Sequence, residues 1–130
     1  CTSPEKFNTK IKFDVILNLE VVEHVEDLNL YLSSCSNLIK KGGIMFTATL
    51  NRTFVSYIKA IIGAEYILRW LPIGTHDWNK FIKPEELEGI LMKSKFKNLE
   101  TKGLQFNPFY RSWSKSDNHS VNYIMASEKI

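Results

Sequence analysis

Glu20, Glu23 and His24 stand close together at the carboxyl end of an apolar run, in the stretch "FDVILNLEVVEHVEDL". If a helical turn begins soon after Leu19, the three fall at i, i+3 and i+4 and share one face of that turn. Two carboxylates and an imidazole make a hard to borderline donor set. It suits Mg²⁺, Mn²⁺ or Zn²⁺, with water or substrate completing the shell. The competing reading is structural: acids are favoured at the positive end of a helix dipole, and His24 is then a partly buried spacer. Spacing alone leaves both open. A second pair, His76 and Asp77 in "GTHDW", could assist proton removal from a substrate, or could simply hydrogen-bond within its own loop.

The elements that would position these groups follow from hydrophobic pattern. Phe13 to Leu19 is apolar and β-branched almost throughout, which predicts a strand covered on both faces, as in a parallel sheet. Asp27 is a candidate N-cap for a helix whose apolar positions are Leu28, Tyr31, Leu32, Cys35, Leu38 and Ile39. Lys40 and Lys41 fit its last turn, and Gly42 and Gly43 its C-terminal cap. Ile44 to Leu50 then predicts a second strand parallel to the first, giving a βαβ crossover. This places the acidic trio in the crevice outside the carboxyl ends of the strands, where open α/β sheets bind ligands.

Phe54 to Leu71 is more apolar than a surface helix needs and predicts two half-helices bent near Gly63. "KPEEL" is a helix start, with Pro84 in the first turn and Leu87, Ile90 and Leu91 as the buried stripe. Asn98 to Phe106 and Val121 to Ser127 are the last strand candidates. Arg111, Trp113 and Lys115 lie in the connection between them and read as surface residues.

The 130 residues, 44% hydrophobic and 24% charged, are the composition of one globular domain. A net charge of +3 with scattered basic residues gives no phosphate-binding face, so nucleic acid is not an expected partner. Cys1 and Cys35 have no motif spacing, and no disulfide is expected. The apolar segment is too interrupted for a bilayer span, and the expected location is cytoplasmic. The chain opens at Cys1 and enters a strand almost at once, which predicts a piece of something longer.

Three blocks taken in order, "FDVILNLEVVEHVEDL", "LIKKGGIMFTATLNR" and "GAEYILRWLPIGTHDWNKFIKPEEL", resemble the C-terminal part of the ubiquinone-biosynthesis O-methyltransferases. These form a family within the class I S-adenosylmethionine-dependent methyltransferases. The first block is shared loosely by many class I members; the third is the specific one. The resemblance implies an α/β fold: the C-terminal half of a Rossmann-like sheet, strands four to seven with the last antiparallel. It would be a single partial domain over residues 1–130 with a helical lid insertion at about 52–82. It further implies methyl transfer to a phenolic or catechol hydroxyl of a polyprenylated precursor at a membrane surface, peripheral to the inner membrane. Glu20, Glu23 and His24 match the family's metal-binding E-x-x-E-H, with Mg²⁺ the implied ion, and Leu19 matches a position lining the adenosyl pocket.

The family's glycine-rich loop and ribose-binding acid have no counterpart here. Glycines occur at 42, 43, 63, 74, 89 and 103, and none forms G-x-G. The isolated chain is therefore expected to bind S-adenosylmethionine weakly and to be inactive alone. A missing N-terminal half or a homodimer would complete it, because the strand at Phe13 to Leu19 has a bare apolar edge. The reading from another class is a non-catalytic remnant with a membrane- or partner-binding surface; another small-molecule class I methyltransferase is a further alternative.

Overall fold

A computed structural model describes residues 2–58, 62, 77–107, 110 and 112–130. Five strands form one sheet in the order β1-β2-β5-β3-β4. They span Phe13–Leu19 (β1), Ile39–Leu50 (β2), Phe96–Asn107 (β3), Ser112–Ser116 (β4) and Asn122–Lys129 (β5). β1 and β2 are parallel, joined through the helix Leu28–Leu38 (α1), so the predicted β-α-β unit is present. β5 runs antiparallel to both of its neighbours, β2 and β3.

The helix starts are those the sequence dictates. The Asp27 carboxylate accepts a hydrogen bond from the Leu30 backbone N–H at 2.9 Å, capping α1. A short helix, Phe54–Ser56 (α2), opens on a Thr53/Ser56 capping box. Pro84 opens the helix Pro84–Lys93 (α3), and Glu86 reaches back to the Lys83 backbone N–H. α1 and α3 pack on the same face of the sheet. Tyr31, Leu32 and Cys35 from α1 meet Leu87 and Leu91 from α3 over Met45, Phe96, Tyr123 and Met125.

The end of α1 departs from the expectation. The helix stops at Leu38, Ile39 is already extended, and Lys40 to Gly43 belong to β2. The glycines do not cap the helix; they form a bulge. Pairing jumps from Phe13↔Ile39 to Val15↔Ile44, so the extra residues loop out of register there. Gly42 has φ of 78°, and a Cβ on Gly43 would lie 2.7 Å from the Ile39 side chain and 2.9 Å from the Asp14 carbonyl. The glycine signal was real, but it served a strand.

β1 is also not covered on both faces. Val15, Leu17 and Leu19 are exposed at 51%, 62% and 53%, because β1 is an edge strand and both helices lie on the other side of the sheet. β4, pairing with β3, was not anticipated: "SWSKS" is polar and carries no strand signal, and Lys115 lies on it.

Most of the predicted lid, including Gly63, Trp70 and His76, lies outside the described residues, as does Arg111. Its two stems do meet. The Trp78 indole N–H donates to the Thr53 carbonyl at 3.2 Å, and the Trp78 ring meets the Tyr57 ring edge-on at 6.3 Å. An Arg52–Glu86 ion pair ties the first stem to α3.

Candidate active site

At the end of β1 the backbone turns sharply. The Glu20 N–H still donates to the Ala48 carbonyl at 2.9 Å, prolonging the ladder with β2. Its own φ is 54°, an uncommon left-handed conformation for a residue with a side chain. The chain then enters a 3₁₀ turn, Val22–His24, in which the His24 N–H donates to the Val21 carbonyl at 2.9 Å.

That turn type decides which of the predicted groups meet. The left-handed Glu20, just before the turn, is brought against Glu23 inside it: the Glu20 carboxyl hydrogen-bonds to Glu23 and feels its charge. His24 is one residue further round, exposed, and is not drawn into the pair. Among the described residues, no group of three or more His, Cys, Asp or Glu side chains is placed to hold a metal ion. Sequence spacing had assumed an α-helical turn with all three on one face.

Glu23 is only 3% exposed. Its Oε2 accepts a hydrogen bond from the Thr49 hydroxyl of β2 at 2.9 Å, while its Oε1 is buried with no hydrogen-bond partner in place. The Glu20 carboxyl is pushed up to about 8. Desolvation against the protein is the largest cause, although the residue as a whole keeps open surface, and hydrogen bonding to Glu23 and its charge add to the shift. A protonated Glu20 can thus serve the open Glu23 oxygen. Tyr123, opposite Thr49 on β5, is raised chiefly by burial and secondly by the Glu23 charge. Its hydroxyl donates to the Ile82 carbonyl at 3.0 Å.

Beside this pair lies an open pocket of about 260 Å³, lined by Val22, Glu23, Val25, Leu28 and Ile82, with Glu26 and Lys80 among its polar groups. It has an apolar wall, one buried carboxylate and one cation. Asp77 is engaged elsewhere: its carboxylate caps the short turn Trp78–Lys80, accepting from the Asn79 backbone N–H at 3.0 Å and the Asn79 amide at 3.2 Å. Leu19, half open at the end of β1, stands next to Glu20.

Thr49 and the pocket residues other than Glu23 were not among the site residues expected from the sequence. A threonine on the inward face of an apolar strand, two residues beyond Thr47, was the available signal for Thr49. The carboxylate pair fits a divalent cation in one respect, because a cation would satisfy the buried Glu23 oxygen as well as a proton does. One or two carboxylates with water are also how Mg²⁺ is ordinarily held.

A sheet whose acidic pair lies outside the carboxyl end of a parallel strand has the layout of an open-sheet α/β enzyme domain. A profile of the methyltransferase domain matches residues 1–101, and the chain belongs to that family. It is 55% identical over 122 residues to the ubiquinone biosynthesis O-methyltransferase of Pelagibacter ubique, covering 94% of this chain and 51% of that protein. It is 48% identical over 130 residues to the Bartonella bacilliformis protein of the same name, covering 99% and 52%. The chain thus spans about half the length of the curated relatives it matches. Among solved structures, a SAM-dependent methyltransferase of Thermotoga maritima, described as a possible histamine N-methyltransferase, aligns with a TM-score of 0.66 at 18% identity, covering 99% of this chain and 62% of that one. Magnesium protoporphyrin IX methyltransferase of Synechocystis PCC 6803, with SAH bound, aligns at 0.62 and 16%, covering 99% and 49%. At these identities the likeness establishes the class I methyltransferase fold.

Proposed function

We propose that this chain is the C-terminal part of a metal-assisted, S-adenosylmethionine-dependent O-methyltransferase acting on a phenolic or catechol hydroxyl of a polyprenylated ubiquinone precursor. The observation that carries the proposal is 48–55% identity to relatives of that name over 91–99% of this chain. In this reading β1, β2, β3 and β5 are strands four, five, six and seven of the class I sheet, and strands one to three lie outside this chain.

S-adenosylmethionine would supply the methyl group, with Leu19 against its adenosyl part. The residues here make no anchor for its ribose or carboxylate, so the chain alone should bind it weakly. A divalent ion between Glu20 and Glu23 would supply Lewis acidity, easing ionisation of the acceptor hydroxyl. The Thr49 hydroxyl holds one Glu23 oxygen and leaves the other, buried one without a partner. The apolar wall of Val22, Val25, Leu28 and Ile82 receives the ring, and Lys80 balances anionic charge at the rim. His24 could join the ion only after the turn rewinds, and His76 and Asp77 remain candidates for proton removal.

A polyprenyl substrate must be met at a membrane. No helix among the described residues is long and apolar enough to cross one, yet Phe54, Val55, Tyr57, Ile58 and Ile62 are exposed where the lid begins. We assign them to interfacial contact. Changing Phe54 and Ile58 together to Asp should abolish co-sedimentation with anionic vesicles; retained binding would refute this assignment.

The activity test joins this chain to the part of the Pelagibacter ubique relative that it does not match. Labelled methyl groups should pass to a prenylated catechol, and Glu23→Gln should raise the Mg²⁺ requirement sharply with cofactor affinity unchanged. Cofactor binding without transfer to any phenol or catechol would overturn the proposal.

A further inference from the structure

The pocket beside Glu23 lies between two stretches of chain far apart in sequence. Residues 22–28 supply one part of its lining, and Lys80 with Ile82 supplies the other. Neither stretch alone sets their separation. Each is fastened to the sheet, and both fastenings come from one rung of the β2–β5 ladder, Thr49↔Tyr123. The Thr49 hydroxyl donates to Glu23 Oε2 at 2.9 Å. The fully buried Tyr123 donates its hydroxyl to the Ile82 carbonyl at 3.0 Å. Burial keeps that phenol protonated and therefore a donor. The next rungs on the same face offer a contrast. Thr47 and Ser127 are just as buried, yet their hydroxyls have no hydrogen-bond partner among the described residues. Of the hydroxyls on these rungs, only the two at the pocket end are bonded, and both bonds leave the ladder for the pocket lining.

We propose, on the reading of this pocket as the ring site, that Thr49 and Tyr123 are positioning residues for a phenolic or catecholic ring. Thr49 acts through Glu23 on recognition of the ring hydroxyl. Tyr123 acts through Ile82 on the fit of the ring itself. Fixing both stretches from one rung of the sheet gives the pocket a width that does not depend on loop conformation. A bound ring is then spared the cost of ordering its own walls. Neither residue lines the pocket, so each changes affinity only by how well the wall it holds is pre-organised.

The test is titration of this chain, with chelator present and no added metal, with catechol and with o-xylene, which has the same shape without hydroxyls. Binding is followed through the backbone amide signals of residues 22–28 and 80–82. Thr49→Val should weaken catechol by about threefold or more and leave o-xylene within about twofold, and Thr49→Ser should restore the catechol affinity. Tyr123→Phe keeps the packed ring and should weaken both probes by a similar factor of about threefold. Tyr31→Phe removes a buried hydroxyl bond of the same kind, to Asn18, at a residue that does not line the pocket, and should change neither affinity. If Thr49→Val does not fold, Thr49→Cys, a weak donor, takes its place. A chain that binds neither probe at these residues, a Thr49 variant that weakens both probes alike, or equal effects of Tyr31→Phe and Tyr123→Phe would each overturn the proposal. The readout is independent of methyl transfer: these probe selectivities, found where the joined chain described above transfers no methyl group, refute the proposed activity and support the positioning role.

Discussion

The two faces of this sheet are made from strands of similar composition, yet they live in different surroundings. On the covered face Leu32, Leu87, Phe96 and Tyr123 are all fully buried, and the polar groups Asn18, Thr47, Thr49 and Ser127 are buried with them. Tyr31 and Asn18 hydrogen-bond there at 2.8 Å. On the bare face, residues equally apolar stand half open to water. Hydrophobicity of a strand therefore does not by itself tell which of its faces is covered. The acidic pair sits where the difference is sharpest: Glu23 belongs to the covered side through Thr49, whereas Leu19 and Glu20 belong to the open edge.

The contrast can be broken most severely by truncating one leucine on each face. Leu32→Ala opens a cavity in the closed core and should cost about 2–5 kcal/mol in urea unfolding. Leu17→Ala should change stability by no more than about 0.5 kcal/mol. A large loss at Leu17 would mean that the bare face is already covered in solution. A smaller effect is expected at the junction. Thr49→Val removes the donor to Glu23 Oε2 and strands a buried carboxylate, which should destabilise by about 1–3 kcal/mol. Adding Glu23→Leu should recover part of that loss, and no recovery would argue against the hydrogen bond as the cause.

The smallest effect concerns pH. Because the Glu20 carboxyl is raised from 4.5 to about 8 in the fold, the native chain holds more protons than the unfolded chain between those limits. The contribution is fully present below about pH 4.5 and is lost as pH rises towards about 8. Glu20→Gln should flatten stability against pH across that window, as measured by melts at constant ionic strength. Mg²⁺ binding at neutral pH should also release protons, since cation and proton compete for the same pair.

How much of this was legible depended on whether a signal is local. The Asp27 cap, the Pro84 start and the pairing of Leu87 with Leu91 are decided within one or two turns and read directly. Gly42 and Gly43 announced a left-handed residue and a close approach, but a helix cap and a strand bulge ask for the same residue. The distinction lay in the register against Asp14 on another strand. Glu20 and Glu23 meet through the left-handed backbone at Glu20 that leads into the Val22–His24 turn, a conformation that spacing alone does not announce, and His24 depends on which turn forms. Thr49 reaches Glu23 across 26 residues of sequence, through a strand pairing that no local pattern contains.

The place of β5 in the sheet has a consequence for the order of events during synthesis. The last in chain order of the described strands, β5, lies at the centre, between β2 and β3, so before it is made the emerging polypeptide carries two separate fragments: a parallel pair with its helix, and an antiparallel pair with α3. Until Asn122 to Lys129 leave the ribosome, nothing in the sheet ladder ties those fragments together. Their closure spans long sequence separations and pays loop entropy before any central contact rewards it. Vectorial synthesis thus leaves the apolar surface that Tyr123 and Met125 cover exposed until β5 is made, a period in which a holding chaperone would find it easiest to bind.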